Sequence, residues 1–108
     1  MATGTIKQNS PIIVQKSEDT YERKILIKDG IFMHLHYERL EPVSNGTNVN
    51  SIPAQYVPSI NVSGSDWYYQ NSGIGCINCY VLTDGTVRIS AKTYDEPVAG
   101  VFDIYWTI

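Results

Sequence analysis

The sequence predicts an all-β fold, an antiparallel β-sandwich of jelly-roll-like type. Three observations carry this. Short runs of β-branched and aromatic residues recur along the chain, two Asp-Gly dipeptides join pairs of such runs, and prolines and glycines punctuate the rest. The 108 residues suffice for one domain. Met1–Ser10 is polar and reads as an N-terminal lead-in segment or linker, and residues 11–108 as a single sandwich domain.

The first run is Pro11–Gln15 (PIIVQ), followed by Tyr21–Lys28 (YERKILIK). Asp29-Gly30 then joins the second run to Ile31–Leu40 (IFMHLHYERL). Asp-Gly between alternating apolar runs signals a hairpin, because the turn needs a positive φ that glycine adopts freely. In the third run Ile31, Met33, Leu35 and Tyr37 share one face, and Phe32, His34, His36 and Glu38 the other, as in a half-buried strand. A helix over Asp19–Lys28 competes with the second strand, since Asp19 and Glu22 stand at capping-box spacing. Glu41–Pro58 reads as a long turn-rich connection, because its three prolines forbid a helix and a central strand. Ser59–Ser63 resumes as strand and Asp66–Gln70 is a short aromatic one. Cys76–Leu82 and Thr86–Lys92 flank Asp84-Gly85 as a second hairpin. Gly100–Ile108 closes the chain with apolar residues on both faces, Trp106 being assigned to the core.

Composition excludes several functions. The formal net charge is -3, and the eight basic residues are scattered, so no phosphate-tracking nucleic-acid surface is expected. No apolar run is long enough to cross a bilayer, and Met1–Asn9 lacks the apolar core of a signal peptide, so the chain reads as soluble, with no membrane insertion. No nucleophile-elbow context and no phosphate-cradling glycine loop occurs, so an enzyme is not expected. No cofactor is implied.

Two groups invite a metal or redox reading. Cys76 and Cys79 form a C-x-x-C, yet a three-residue offset sends strand side chains to opposite faces, and no second cysteine pair exists. Two small apolar thiols in a strand are the simpler reading. His34, His36 and Glu38 share a face, which reads as the solvated side of an outer strand rather than a proton-transfer or metal site.

The strongest binding candidate is Asp66-Trp67-Tyr68-Tyr69-Gln70-Asn71, flanked by Gly64 and Gly73 and so expected near loops. Aromatic rings stack on the apolar faces of sugars, while carboxylates and amides hydrogen-bond their hydroxyls. Asp66, Trp67, Tyr68, Tyr69 and Asn71 are therefore candidate saccharide ligands, with Tyr94 in a second, weaker loop candidate. Packing of the same rings in the core or a subunit interface is the rival reading.

Two segments carry a family resemblance. Ser51–Val62 (SIPAQYVPSINV) resembles a Pro-bracketed, tyrosine-containing segment of bacteriophage tail-fibre and prophage minor structural proteins, and Cys79–Ile89 (CYVLTDGTVRI) resembles the hairpin that follows it there. With the closing strand Val101–Ile108, the resemblance covers roughly the second half of the chain. It departs at Ile52, where leucine is commoner, and at the two cysteines. The resemblance implies the C-terminal head (tip) domain of a tail fibre or baseplate receptor-binding protein. Such a domain would be a homotrimer on the virion, made in the host cytoplasm, that touches a bacterial surface saccharide or protein. A purely structural fibre-capping trimer without ligand is the alternative.

Overall fold

The computed structural model describes residues 11–70, 73–91 and 96–108. Among these residues eight strands run β1 (Ile12–Glu18), β2 (Glu22–Asp29), β3 (Phe32–Val43), β4 (Thr47–Ser51), β5 (Val62–Gln70), β6 (Gly73–Val81), β7 (Thr86–Ser90) and β8 (Val98–Thr107), with one 3-10 turn at Ala54–Tyr56. Two four-stranded antiparallel sheets pack face to face, in the orders β1-β2-β3-β8 and β4-β7-β6-β5. The expected antiparallel β-sandwich is therefore the fold. The first sheet is a meander extended by the last strand, and the second is a Greek key in which β4 returns beside β7. No helix among the described residues is long and apolar enough to cross a membrane.

Both Asp-Gly turns form hairpins, with Gly30 at φ 61° and Gly85 at φ 91°. The Asp19–Lys28 segment is a turn at Asp19–Tyr21 followed by strand β2, not a helix. Asp19 Oδ1 accepts from the amides of Tyr21 and Glu22 at 2.7 and 2.9 Å. The same side-chain chemistry that would cap a helix thus makes a turn leading into β2.

Two expectations are corrected. Glu41–Pro58 is not wholly a connection: β3 runs on to Val43, and Thr47–Ser51 is β4. Pro42 is tolerated because pairing between β3 and β8 breaks between Arg39 and Val43, where no donor is needed. Ser59–Ile60 lies before β5, whose strand instead runs through Gly64 into the aromatic run.

The core follows from the period of two. Leu26, Met33, Leu35 and Tyr37 from the first hairpin meet Ile77, Cys79, Val81, Val87 and Ile89 from the second sheet, with Val98, Phe102, Ile104 and Trp106 from β8. Trp106 donates its indole N–H to the Tyr56 carbonyl at 2.7 Å, closing one end of the sandwich. Val14 packs on this core from a bulge in β1.

A polar network crosses between the sheets near β4. The buried Lys24 ammonium donates to Gln15 Oε1 (2.6 Å), Asn50 Oδ1 (3.1 Å) and the Ser51 carbonyl (2.6 Å). Glu22 accepts from the Tyr37 hydroxyl (2.8 Å), from Arg39 (3.2 Å) and from the Asn50 amide. Every charge here has a hydrogen-bonded partner, which is the condition for burying it.

Candidate functional site

The outer face of the second sheet is built from the alternate residues of β5, β6 and β7. Across the strands, Trp67 stands beside Cys76, Ser65 beside Asn78 and Ser90, and Ser63 beside Tyr80 and Arg88. Ser65 donates to Asn78 Oδ1 at 2.6 Å, and Arg88 to Asn48 Oδ1 on β4 at 2.7 Å. This face is rich in hydroxyls and amides, with an aromatic ring towards each end. Cys76 and Tyr80 are four residues apart on β6, so the two ring positions are separated by about 13 Å along the strand.

Around Tyr80 the face deepens into an open groove of about 380 Å³ lined by Asn45, Asn61, Tyr80, Leu82, Arg88 and Ser90. Asn45 and Asn61 use their side-chain oxygens to accept from the amides of Ala91 (2.8 Å) and Thr83 (3.0 Å). Among the described residues neither NH₂ group donates a hydrogen bond, and the groove also offers the Arg88 guanidinium. Such a set donates hydrogen bonds to hydroxyls or carboxylates beside a ring that can stack. None of these residues is a saccharide candidate from the sequence. They come from four separate segments, and only the fold brings them together.

The predicted saccharide residues divide. Trp67 is 68% exposed on a paired strand and makes no contribution to the core. Tyr68 faces inward and packs against the core, so the rival packing reading applies to it. Asp66 is engaged within the fold: its carboxylate accepts from the Trp67 amide and, through the other oxygen, from the Val101 amide, both at 2.8 Å. Asp66 thereby ties the edge of β5 to β8. Tyr69 is in the strand, opposite Ile74. Asn71 and Tyr94 lie outside the described residues. The run stands on a strand rather than in a loop, so Trp67 is held by a ladder on a rigid platform.

Cys76 is exposed and Cys79 fully buried, on opposite faces of β6 as the three-residue offset requires. They share no metal site and cannot be bridged, because Cα atoms three apart on a strand are about 10 Å from each other. Burial pushes the Cys79 thiol up to about 12. A thiol reagent at mildly alkaline pH is expected to titrate one cysteine per chain in the native protein and two after denaturation. Two reactive thiols in the native state would mean that β6 opens readily.

The outer face of the first sheet differs in character. Ile13, Phe32, Val101 and Tyr105 are exposed there, with Ile25 and Ile27 half-buried between them. A shallow recess of about 310 Å³ opens among Pro11, Ile27, Phe32, Met33, His34 and Tyr105.

No protein-family model matches the chain, and no curated protein is significantly similar to it.

Proposed function

We propose that the chain is a non-enzymatic receptor-binding head of a bacteriophage tail fibre or baseplate, displayed as a homotrimer at the tail tip, and that it binds a host-surface saccharide across the outer face of its second sheet. The observation that carries the saccharide reading is Trp67: a large ring, 68% exposed, fixed on a strand whose outer face carries hydroxyls and amides, and outside the core cluster of the described residues. The Tyr80–Arg88 groove extends the same face. The trimer reading is supported by the apolar part of the outer face of the first sheet, around the recess beside Phe32, where Ile13, Phe32 and Tyr105 are each more than half exposed. The two faces point away from each other, so a subunit interface on one leaves the other open to a surface. Three weak sites held together then bind a repetitive polymer by avidity.

A purely structural fibre cap is favoured by the same apolar face and assigns no ligand to Trp67. Size-exclusion light scattering of the full chain, alone and with a panel of bacterial envelope polysaccharides, separates the readings. The expected mass is three times the 12.1 kDa chain. The expected elution shift with one polysaccharide weakens about tenfold in Trp67→Ala, the loss of about 1.4 kcal/mol of stacking. A trimer that no polysaccharide shifts leaves the structural cap standing, and a monomer that none shifts overturns both.

A further inference from the structure

His34, His36 and Asp103 meet on the outer face of the first sheet. His34 and His36 stand two apart on β3 and so project from one side of it. Asp103 lies directly opposite His36 on β8, and Tyr105 directly opposite His34. The register gathers two imidazoles and a carboxylate from positions 67 and 69 residues apart. One carboxylate oxygen, Asp103 Oδ1, lies 2.7 Å from His34 Nε2 and 2.8 Å from His36 Nδ1. All three donor atoms fall within 4.8 Å of one another.

We propose that His34, His36 and Asp103 form a site for a divalent transition-metal ion, bound by His34 Nε2, His36 Nδ1 and Asp103 on the sheet surface. Two neutral imidazoles and one carboxylate suit zinc, nickel, cobalt or ferrous iron better than calcium or magnesium, which prefer oxygen ligands. A tetrahedral metal with ligands at about 2.0–2.2 Å sets neighbouring donor atoms about 3.3–3.6 Å apart. The two imidazole–carboxylate contacts therefore open by about half an ångström or slightly more, while the two imidazole nitrogens, within 4.8 Å of each other, settle to the same spacing.

The surroundings hold the ligands as a metal site does. The His34 ring stacks on Tyr105 with centroids 4.3 Å apart and planes 18° from parallel, which fixes its orientation. The far nitrogen of His36, Nε2, faces Glu38 Oε2 at 3.9 Å. At 3.9 Å this is a charge contact and not a hydrogen bond; in the metal-free site the imidazole N–H groups donate to Asp103 Oδ1, and a bound metal takes the place of those hydrogens. Glu38 and Asp103 give the cluster a negative balance that Arg23, shared between Glu18 and Glu38, offsets only in part. The site lies on the same outer face as the proposed subunit interface, so water or a group from a neighbouring subunit completes the coordination. The ligands stand on paired strands, where geometry is held better than on loops.

Cobalt(II) titration of the chelator-treated full chain, followed by visible absorption with zinc(II) as competitor, tests this. The expected result is one cobalt ion per chain, displaced by zinc. Affinity is expected to fall at least tenfold in His36→Ala and in Asp103→Ala, both on the outer face and checked for retained fold by circular dichroism. His34→Gln supplies a second variant that keeps the side chain's bulk. Cys76→Ser is expected to leave binding unchanged. Absence of saturable binding up to about 1 mM metal, binding insensitive to the histidine and aspartate variants, or binding lost with Cys76 overturns the site.

Discussion

Glu22→Ala is expected to destabilise the sandwich by about 3–5 kcal/mol, the cost of removing one partner from a buried ionic network. Both oxygens of Glu22 accept hydrogen bonds, from Tyr37, Arg39 and Asn50. Its side chain is 14% exposed and that of Arg39 12%. Truncation leaves the guanidinium and the Tyr37 hydroxyl short of acceptors where water reaches poorly. Burial already pulls the Lys24 ammonium below its ordinary value, and the nearby Glu22 charge pulls it back. The variant therefore also withdraws the counter-charge from Lys24. Single domains are stable by only about 5–15 kcal/mol, so most of the margin is lost. Urea denaturation of the two proteins reads the difference directly. A loss below about 1 kcal/mol would mean that water solvates this end of the sandwich.

Gly64→Val is expected to cost about 1–3 kcal/mol through overpacking and to open the seam between β5 and β8. A Cβ at position 64 would lie 2.6 Å from the Asp103 carbonyl oxygen and 3.0 Å from Ile104 Cγ1. The first obstacle is backbone, held in the β3–β8 ladder, so it cannot swing aside. Gly64 therefore answers to the approach of another strand rather than to a turn. Amide exchange at Val101 is the most direct readout, since its N–H is held by Asp66 across the same seam. Its protection should fall in the variant more than that of Leu35, in the middle of β3. Unchanged protection at Val101 would show that the two edges have room to adjust.

The local elements were legible where the chain states them locally. The two Asp-Gly hairpins, the alternation of β3 and the inward Trp106 all follow from residues adjacent in sequence. β4 was not, because Thr47–Ser51 holds a single apolar residue, Val49. That strand is held from outside, by pairing with β7 and by the Asn50 side chain in the Lys24–Glu22 network. β5 was divided between two short runs, with Gly64 read as a flank near a loop, whereas its reason is the neighbouring backbone of β8. The binding candidates show the same boundary. Exposure of Trp67 agrees with its aromatic-polar context, but the inward turn of Tyr68 and the engagement of Asp66 with Val101 depend on the sheet-to-sheet register. Likewise His34 and His36 were visible as a pair, whereas Asp103 joins them only through the pairing of β3 with β8.

The position of β8 also governs how the chain reaches its native state during synthesis. β8 supplies Val98, Phe102, Ile104 and Trp106 to the core, pairs with β3 and lies against β5. It is also the last strand in chain order. The hairpins upstream close early, because their partners are near in sequence, while the β3–β8 ladder joins residues some seventy positions apart. A ribosome-bound nascent chain therefore exposes apolar strand faces until Thr107 has cleared the exit tunnel. Resistance of the nascent domain to proteolysis is expected to arise late, once β8 has paired with β3.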